Sequence, residues 1–165
     1  MTAEHPENPF DAAKYRQVLG HFPTGVTVVT AITDDGPTGM AIGSFSSLSL
    51  EPPLVLFCPQ KTSGSWNRIK GAGRFCVNIL GDDQEDVSRV FASSAEDKFA
   101  EMGWKRSGNG APRLDGVLAH IDCDIHDVLD GGDHDIVVGA VTALEVHHEG
   151  GPLVFFRGGY GRVSL

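Results

Sequence analysis

The chain has 165 residues, of which 41% are hydrophobic, and it carries a formal net charge of −9. This length predicts one domain, and the hydrophobic fraction excludes a disordered chain because it is enough for a core. The acidic balance argues against nucleic acid or an anionic membrane as the partner, since both are bound by basic patches.

Residues 1–8 are acidic and contain no apolar run, so we predict a flexible N-terminal arm and a single domain over residues 9–165. No stretch is long enough to span a membrane. The three cysteines, Cys58, Cys76 and Cys123, lie in apolar runs, which is typical of reduced thiols in a cytoplasmic protein. There is no CxxC pair, and we expect no metal.

A short helix begins the predicted domain. Asn8 is a suitable N-cap and Pro9 suits the first turn. Apolar residues then recur at helical spacing, and we expect this face to pack against the rest of the domain: Tyr15, Val18, Leu19 and Phe22. Residues 23–33 are rich in β-branched residues and predict a strand, which ends at a turn over residues 34–37.

Residues 39–58 form the most informative stretch. The stretch starts with small residues and hydroxyl side chains, continues through Pro52 and Pro53, and then has an apolar run over residues 54–57. We predict two strands. The first pairs antiparallel with residues 23–33, and its edge lines a ligand site. Small residues allow close backbone approach and hydroxyls donate to oxygen atoms. A serine-rich edge strand that faces solvent is the alternative, and composition alone favours it.

Two further helices and a loop follow. Ser63 caps a helix over residues 64–71, and residues 74–80 predict a strand. Asp82 and Asp83 predict the start of another helix, because acids are stabilised at its positive end. Residues 93–113 are polar, and we expect a long loop with one helical turn.

Two long strands, residues 115–129 and 135–147, are predicted with a hairpin turn at residues 130–133. On the first strand His120, Asp122, Asp124 and His126 share one face. This strip suggests a metal site, although the wet face of a half-exposed strand is the more common explanation. Residues 153–156 and 160–163 close the chain as strands. The elements together predict an all-β barrel with helical insertions.

The chain contains no nucleophile elbow, no Walker motif and no Gly-x-Gly-x-x-Gly after a strand. What remains is the serine-rich edge, His134 in the hairpin turn, and Arg157 with Tyr160 near the C-terminus. An imidazole, a guanidinium and a phenol together suit a flat anionic ligand with hydrogen-bonding groups.

The order of these motifs resembles the short-chain flavin reductase family, the reductase components of two-component flavin monooxygenases. The matching segments span residues 10–162 and are Pro23–Thr30, Gly39–Val55 with its serines and paired prolines, Phe75–Leu80, Asp97–Phe99, Gly131–His134 with Gly139, and Phe156–Tyr160. The sequence near residues 65–78 is similar to that of reductases that serve hydroxylases of steroid or aromatic breakdown.

The resemblance implies a mainly β, Greek-key split barrel that forms a homodimer and binds flavin near the subunit interface. It implies an NAD(P)H:flavin oxidoreductase that reduces FMN or FAD with NADH or NADPH and releases the reduced flavin to a monooxygenase. Such hydride transfer needs two stacked rings more than it needs an acid or base. A flavin carrier or sensor without catalysis, and an enzyme that keeps its flavin, are the alternatives.

The resemblance also assigns site residues. The flavin ring is expected along Thr24 and the edge Ala41, Ile42, Gly43 and Ser44. The ribityl chain and phosphate are expected at Ser47, Leu48, Ser49, Lys61, Thr62 and Ser63. His134, as the catalytic residue, is expected beside the nicotinamide, with Arg157 and Tyr160 closing that side. Many relatives have Thr-Ala-Asn at residues 41–43, so here the contacts are expected to be mainly with the backbone.

Overall fold

A computed structural model describes residues 9–164, which form twelve strands and three α-helices. The helices are α1 (Ala12–Leu19), α2 (Gly64–Ala72) and α3 (Glu85–Ala92). The strands are β1 (Thr24–Gly25), β2 (Thr27–Thr33), β3 (Gly36–Ile42), β4 (Ser46–Ser49), β5 (Leu54–Phe57), β6 (Arg74–Ile79), β7 (Trp104–Arg106), β8 (Pro112–Leu114), β9 (Ala119–Gly131), β10 (His134–Val146), β11 (Leu153–Phe156) and β12 (Gly159–Arg162). None of the helices within the described range is long and apolar enough to cross a membrane. The predicted arm, residues 1–8, lies outside the described residues.

The strands form one large antiparallel sheet and two small ones. The large sheet has the order β3-β2-β6-β9-β10-β5-β4, the second joins β1, β11 and β12, and the third pairs β7 with β8. Strands β3 and β4 lie at opposite edges of the large sheet and do not pair with each other, so the barrel is split rather than closed. The prediction of a mainly β split barrel with short helical insertions is confirmed.

The β9–β10 hairpin is the longest element, with thirteen residues in each strand. Gly131 pairs with His134, so the turn consists of Gly132 and Asp133 alone. Gly132 has φ +83°, a left-handed conformation that favours glycine. This tight turn makes His134 the first residue of β10 and fixes its direction.

Two hydrophobic clusters form the core. In the first, Phe57 packs edge-to-face on Phe75 and Trp66, with ring centroids 5.1 and 5.8 Å apart. The second joins α3, β2, β8 and β11, and its buried members are Val26, Val28, Leu80, Phe91, Phe99, Leu114, Val117 and Leu153. Burial of such side chains provides the main stabilisation of the fold.

The predicted packing of the first helix is wrong. Asp11 rather than Asn8 caps α1, and its Oδ1 accepts from the Ala13 amide at 2.8 Å. The helix buries none of its residues, and Val18 is 56% exposed. Its C-terminal end contacts the β11–β12 turn, where the Arg157 amide donates to the Gly20 carbonyl at 2.8 Å. The apolar face of α1 therefore points away from the domain.

Three strand predictions also need correction. Residues 23–33 divide at Val26 into β1 and β2, which belong to different sheets. The stretch after Gly39 divides as well, because β3 pairs with β2 while β4 lies at the far edge on β5. The predicted loop over residues 93–113 contains a turn at residues 98–101 and most of the β7–β8 hairpin, which ends at Leu114.

The predicted wet face of β9 is wrong for two of its four residues. His120 and Asp122 are 7% and 1% exposed. The segment between β7 and β8 covers Asp122, whose Oδ1 accepts from the Ser107 hydroxyl at 2.7 Å. Among residues 9–164, no three His, Cys, Asp or Glu side chains are grouped so that they could hold a metal ion.

Candidate functional site

A cleft with a volume of about 520 Å³, a size that suits a cofactor, lies beside the β3 edge. Four segments line it: the end of β3 with the residues that follow, the chain between β5 and α2, the end of α3 with its following loop, and the start of β10. The lining residues are Met40, Ala41, Ile42, Gly43, Ser44, Cys58, Pro59, Gln60, Ser63, Ser65, Phe91, Ala92, Ser93, Lys98 and His134.

The first wall is an unpaired strand edge. β3 is the terminal strand of the large sheet, so the backbone N–H and C=O groups on its outer side are not used by a neighbouring strand of that sheet. The small side chains of Ala41 and Gly43 leave this backbone accessible. The edge therefore offers donors and acceptors in a line, as a flat heteroaromatic ring requires.

The second wall is the chain between β5 and α2. Hydrogen bonds connect it both to Ser44, which follows β3, and to the β9–β10 hairpin. Ser44 Oγ accepts from the Cys58 amide at 3.0 Å and donates to its carbonyl at 3.1 Å. Next along the chain, the Pro59 carbonyl accepts from the Asp135 amide at 2.9 Å. His134 is thereby held opposite the β3 edge, although 90 residues separate it from Ser44 in the sequence.

The N-terminus of α2 closes one end of the cleft. Ser63 caps the helix, and its Oγ accepts from the Trp66 amide at 3.2 Å. Trp66 is fully buried and its Nε1 donates to Asp135 at 2.9 Å, which fixes the helix to β10. A helix N-terminus presents free amides and a positive dipole end, so this end of the cleft suits an anion.

Lys98 provides a cation in the lining of the cleft. Its Nζ donates to the Phe91 and Gly39 carbonyls at 3.1 and 3.4 Å. Burial lowers the pKa of Lys98, and nearby Arg68 lowers it further. Gly39 is required here, because a Cβ at this position would lie 2.9 Å from the Phe91 ring. A partly buried lysine is a suitable donor for a phosphate in this acidic chain.

The cleft lining includes one thiol, that of Cys58. Burial raises the pKa of Cys58, and the hydrogen bond from Ser44 offsets this only in part. The thiol therefore stays protonated at neutral pH, whereas the reactive form of cysteine is the thiolate. The cleft thus supports ligand binding and ring stacking rather than covalent catalysis by cysteine.

The structure brings several of the predicted residues together and leaves others apart. Those that line the cleft are Ala41, Ile42, Gly43, Ser44, Ser63 and His134. Thr24 lies beside them, since its Oγ1 would be 3.2 Å from a Cβ at residue 43. Outside the lining are Ser47, Leu48 and Ser49 on β4, Thr62 in a turn, Lys61 and Arg157. Lys61 forms an ion pair with Asp130 instead.

Tyr160 lies on the other side of the same β3 edge. It lines a smaller cavity of about 140 Å³ together with Ala41, Ile42 and Gly43. Its hydroxyl is 2.8 Å from Ser88 Oγ, and the Arg89 guanidinium lies 5.0 Å from its ring centroid. Arg157 instead stacks its guanidinium over Phe156 at 4.8 Å.

Sequence reasoning missed Lys98, Ser65 and Gln60 as cleft residues. The segment Asp97–Phe99 offered a signal for Lys98. Phe99 follows the lysine directly, and burial of this apolar ring would hold the lysine in place. Phe99 is buried, with 8% exposure. Ser65 and Gln60 line the cleft because of where α2 and β10 lie in the fold, and local sequence patterns do not encode those positions.

Comparison with known proteins gives a consistent result. The model of the family described as flavin reductase like domain matches residues 19–164. A flavin reductase of Pseudomonas putida is 51% identical over 162 residues, which cover 98% of this chain and 95% of the relative. The reductase subunit HsaB of a flavin-dependent monooxygenase of Mycobacterium tuberculosis is 53% identical over 152 residues, covering 91% of this chain and 81% of the relative.

Solved structures agree with these sequences. The NADH:FAD oxidoreductase SgcE6 of Streptomyces globisporus, in complex with NAD and FAD fragments, superposes with a TM-score of 0.90 at 38% identity. The match covers 95% of each chain. The similarity therefore extends over the β3 edge, α2 and the β9–β10 hairpin that form the cleft.

Proposed function

Because this chain belongs to the family of flavin reductase like domains, we propose that it is an NAD(P)H:flavin oxidoreductase that supplies reduced FMN or FAD to a partner monooxygenase. The relatives named as a flavin reductase and as a monooxygenase reductase subunit support this activity. The observation that carries the proposal is the cleft itself, in which an unpaired β3 edge faces His134.

The flavin ring would lie along Ala41 to Ser44 and beside Thr24. The accessible backbone of this edge would donate to and accept from the ring's carbonyl and nitrogen atoms. Ile42 is 5% exposed, so its side chain turns into the core while its backbone remains at the edge. This arrangement selects a flat ring through the backbone and tolerates the loss of polar side chains at residues 41–43.

The flavin phosphate would bind between the N-terminus of α2 and Lys98. Ser63 and Ser65 would add hydroxyl donors to the helix amides, and Lys98 would supply the charge. Ser47, Leu48, Ser49, Lys61 and Thr62 are proposed to contact the ribityl chain or the outer phosphate from the rim, since they lie on neighbouring segments. Weak contacts at a rim suit a flavin that must leave after reduction.

The nicotinamide would stack on the exposed face of the flavin, beside His134. When bound together, the two cofactors supply the hydride transfer chemistry from the nicotinamide to flavin N5. The protein holds the rings at contact distance and excludes water from between them. His134 would contact the nicotinamide as the catalytic residue, while Arg157 and Tyr160 are proposed to close that side.

We further propose that the protein is a homodimer. Large apolar side chains are exposed on α1 and around it: Phe10, Tyr15, Val18, Leu19, Phe22 and Phe156. A contiguous apolar surface of this kind marks a protein interface. A second copy that covers α1 would also approach the β11–β12 turn, which α1 contacts, and would bring Arg157 into the interface.

Residues 9–165 are proposed to form one domain and to function in the cytoplasm. The first proposal is supported by the large sheet, whose hydrogen bonds connect strands from residue 27 to residue 146. The second is supported by the free thiols of Cys58, Cys76 and Cys123, which persist in reducing compartments.

The deciding experiment measures NADH and NADPH oxidation by the purified protein, with FMN, with FAD and without flavin. We expect saturable turnover that depends on flavin, and the comparison ranks both flavins and both nicotinamides. Tight flavin binding without turnover for either nicotinamide would instead indicate the flavin carrier or sensor. Turnover confined to another acceptor would indicate an enzyme that retains its flavin.

A further inference from the structure

A third cavity, of about 290 Å³, lies at the far end of the β9–β10 hairpin from His134. Its lining includes Lys105, Arg113, Asp115, His147 and His148. His147 follows β10, whose thirteen residues extend over on the order of 40 Å at ~3.3 Å per residue. The cavity is therefore separate from the proposed flavin cleft.

The two cations of this cavity face each other without compensation. Lys105 and Arg113 are directly opposite in the register of β7 and β8. Like charges opposite each other destabilise a strand pair. Neither side chain forms an ion pair within residues 9–164. A locally unfavourable arrangement that persists in a folded chain is expected at a functional site.

The histidines are held rigidly at the same cavity. The Leu118 carbonyl accepts from the His147 amide at 2.7 Å and from the His148 amide at 3.2 Å. The His147 Nε2 is 2.7 Å from Nδ1 of buried His120. This contact positions the His147 ring, while the backbone of His148 is held beside it, so the cavity lining carries two imidazoles together with the two cations.

The lining contains a single acid, Asp115. The Asp115 carboxylate packs on Gly103, where a Cβ would lie 2.3 Å from its Oδ2. Burial lowers the pKa of His147, and Arg113 and His120 lower it further, while Glu145 acts in the opposite direction. His148 also lowers it. The lining thus holds two cations, Lys105 and Arg113, against one carboxylate, in a chain of net charge −9.

We propose that this cavity binds a small, multiply charged oxyanion, either a phosphate compound or a polycarboxylate. The Arg113 guanidinium presents a fork of N–H donors that matches two oxygens of either group. Lys105 supplies a second full charge, and the imidazoles supply further donors. The volume suits a small molecule, and the surrounding positive charge selects an anion.

Isothermal titration calorimetry with inorganic pyrophosphate and with citrate, at constant ionic strength, tests the site. We expect saturable one-site binding of at least one probe, and the stronger probe identifies the class of anion. Arg113→Gln and Lys105→Gln should each weaken binding at least tenfold. Lys70→Gln removes the same charge from the last turn of α2 and should leave binding unchanged. No binding by either probe, or equal weakening by Lys70→Gln, would overturn the proposal.

Two further measurements separate this site from the flavin cleft. Lys98→Gln should leave pyrophosphate and citrate binding unchanged, whereas loss of binding in this variant would place the probe in the flavin cleft and refute the proposal. In histidine ring NMR spectra, the bound probe should shift His147 and His148 but not His134, and the opposite pattern would also refute it. Arg113→Gln should retain flavin reduction, so the outcome is independent of the proposed activity.

Discussion

Asp133 and His134 form a hydrogen bond at the tip of the β9–β10 hairpin, with Oδ1 and Nδ1 2.7 Å apart. The carboxylate accepts, so Nδ1 carries the hydrogen and Nε2 is left to face the cleft. The hydrogen bond and charge of His134 lower the pKa of Asp133, which keeps the carboxylate ionised. Asp133 is thus a positioning residue for the imidazole.

Replacing His134 by alanine should raise the KM for NADH about tenfold, equivalent to ~1.4 kcal/mol of binding free energy. The imidazole is expected to contact the nicotinamide and not the flavin, so the Kd for flavin should stay within twofold by fluorescence titration. His126→Ala, an exposed histidine on β9, is the matched control. Unchanged NADH kinetics in His134→Ala would remove His134 from the site.

The Asp133→Asn variant should raise the KM for NADH by a smaller factor than His134→Ala. The amide keeps the shape but loses the charge that orients Nδ1. If Asp133 acts through His134, the double variant should be no worse than His134→Ala alone, because the two effects are not additive. Steady-state kinetics of the three variants provide the comparison. Additive losses would indicate that Asp133 contacts the nucleotide directly.

Lys98→Gln should weaken flavin binding about tenfold, because hydrogen bonds to charged groups contribute about 1.5–3 kcal/mol. Burial lowers the pKa of Lys98, so its charge is lost at a lower pH than for an exposed lysine. Flavin affinity should therefore decline with rising pH, and it should do so at a lower pH than the titration of an exposed lysine. Lys98→Arg should bind flavin without this decline, since arginine stays protonated. Parallel pH profiles of the two proteins would contradict the phosphate role.

Val18→Asp should convert the proposed homodimer into a monomer. It places a charge in the centre of the exposed apolar face of α1, where an interface would desolvate it. Light scattering coupled to size-exclusion chromatography measures the change in mass. Gln17→Asp adds the same residue on the adjacent polar face and should remain dimeric. A monomeric wild type, or a dimeric Val18→Asp, would exclude α1 as the interface.

Gly139→Ala should destabilise the fold by about 1–3 kcal/mol, the usual range for overpacking a core. The new Cβ would lie 2.6 Å from Phe75 Cζ and 3.0 Å from Cys123 Cβ. Gly71→Ala is the control, since that position is within α2 and has nothing within 4 Å of a Cβ. Alanine there should stabilise by about 0.8–1.0 kcal/mol. Urea unfolding at equal protein concentration measures both, and a neutral Gly139→Ala would contradict the packing.

Local patterns predicted much of the fold. The β-branched residues of β2, the Gly-Asp turn of the long hairpin and the Ser63 cap of α2 each specify their element through nearby residues. The β7–β8 hairpin was missed because each strand has three residues, too few for a period to be recognised. The burial of His120 and Asp122 was missed for a related reason, since the segments that cover them are distant in sequence.

The candidate site, like the fold, was predicted from the sequence only in part. The sequence by itself determined the small residues at positions 41–44 and the tight hairpin turn before His134, because both depend on neighbouring residues. Only the tertiary structure decided which residues face that edge. Hydrogen bonds across 14 residues, from Ser44 to Cys58, and pairing across 76 residues, from Pro59 to Asp135, join the two walls. Contacts at such separations arise from strand order and register, which follow from burying the shared core and not from any local pattern.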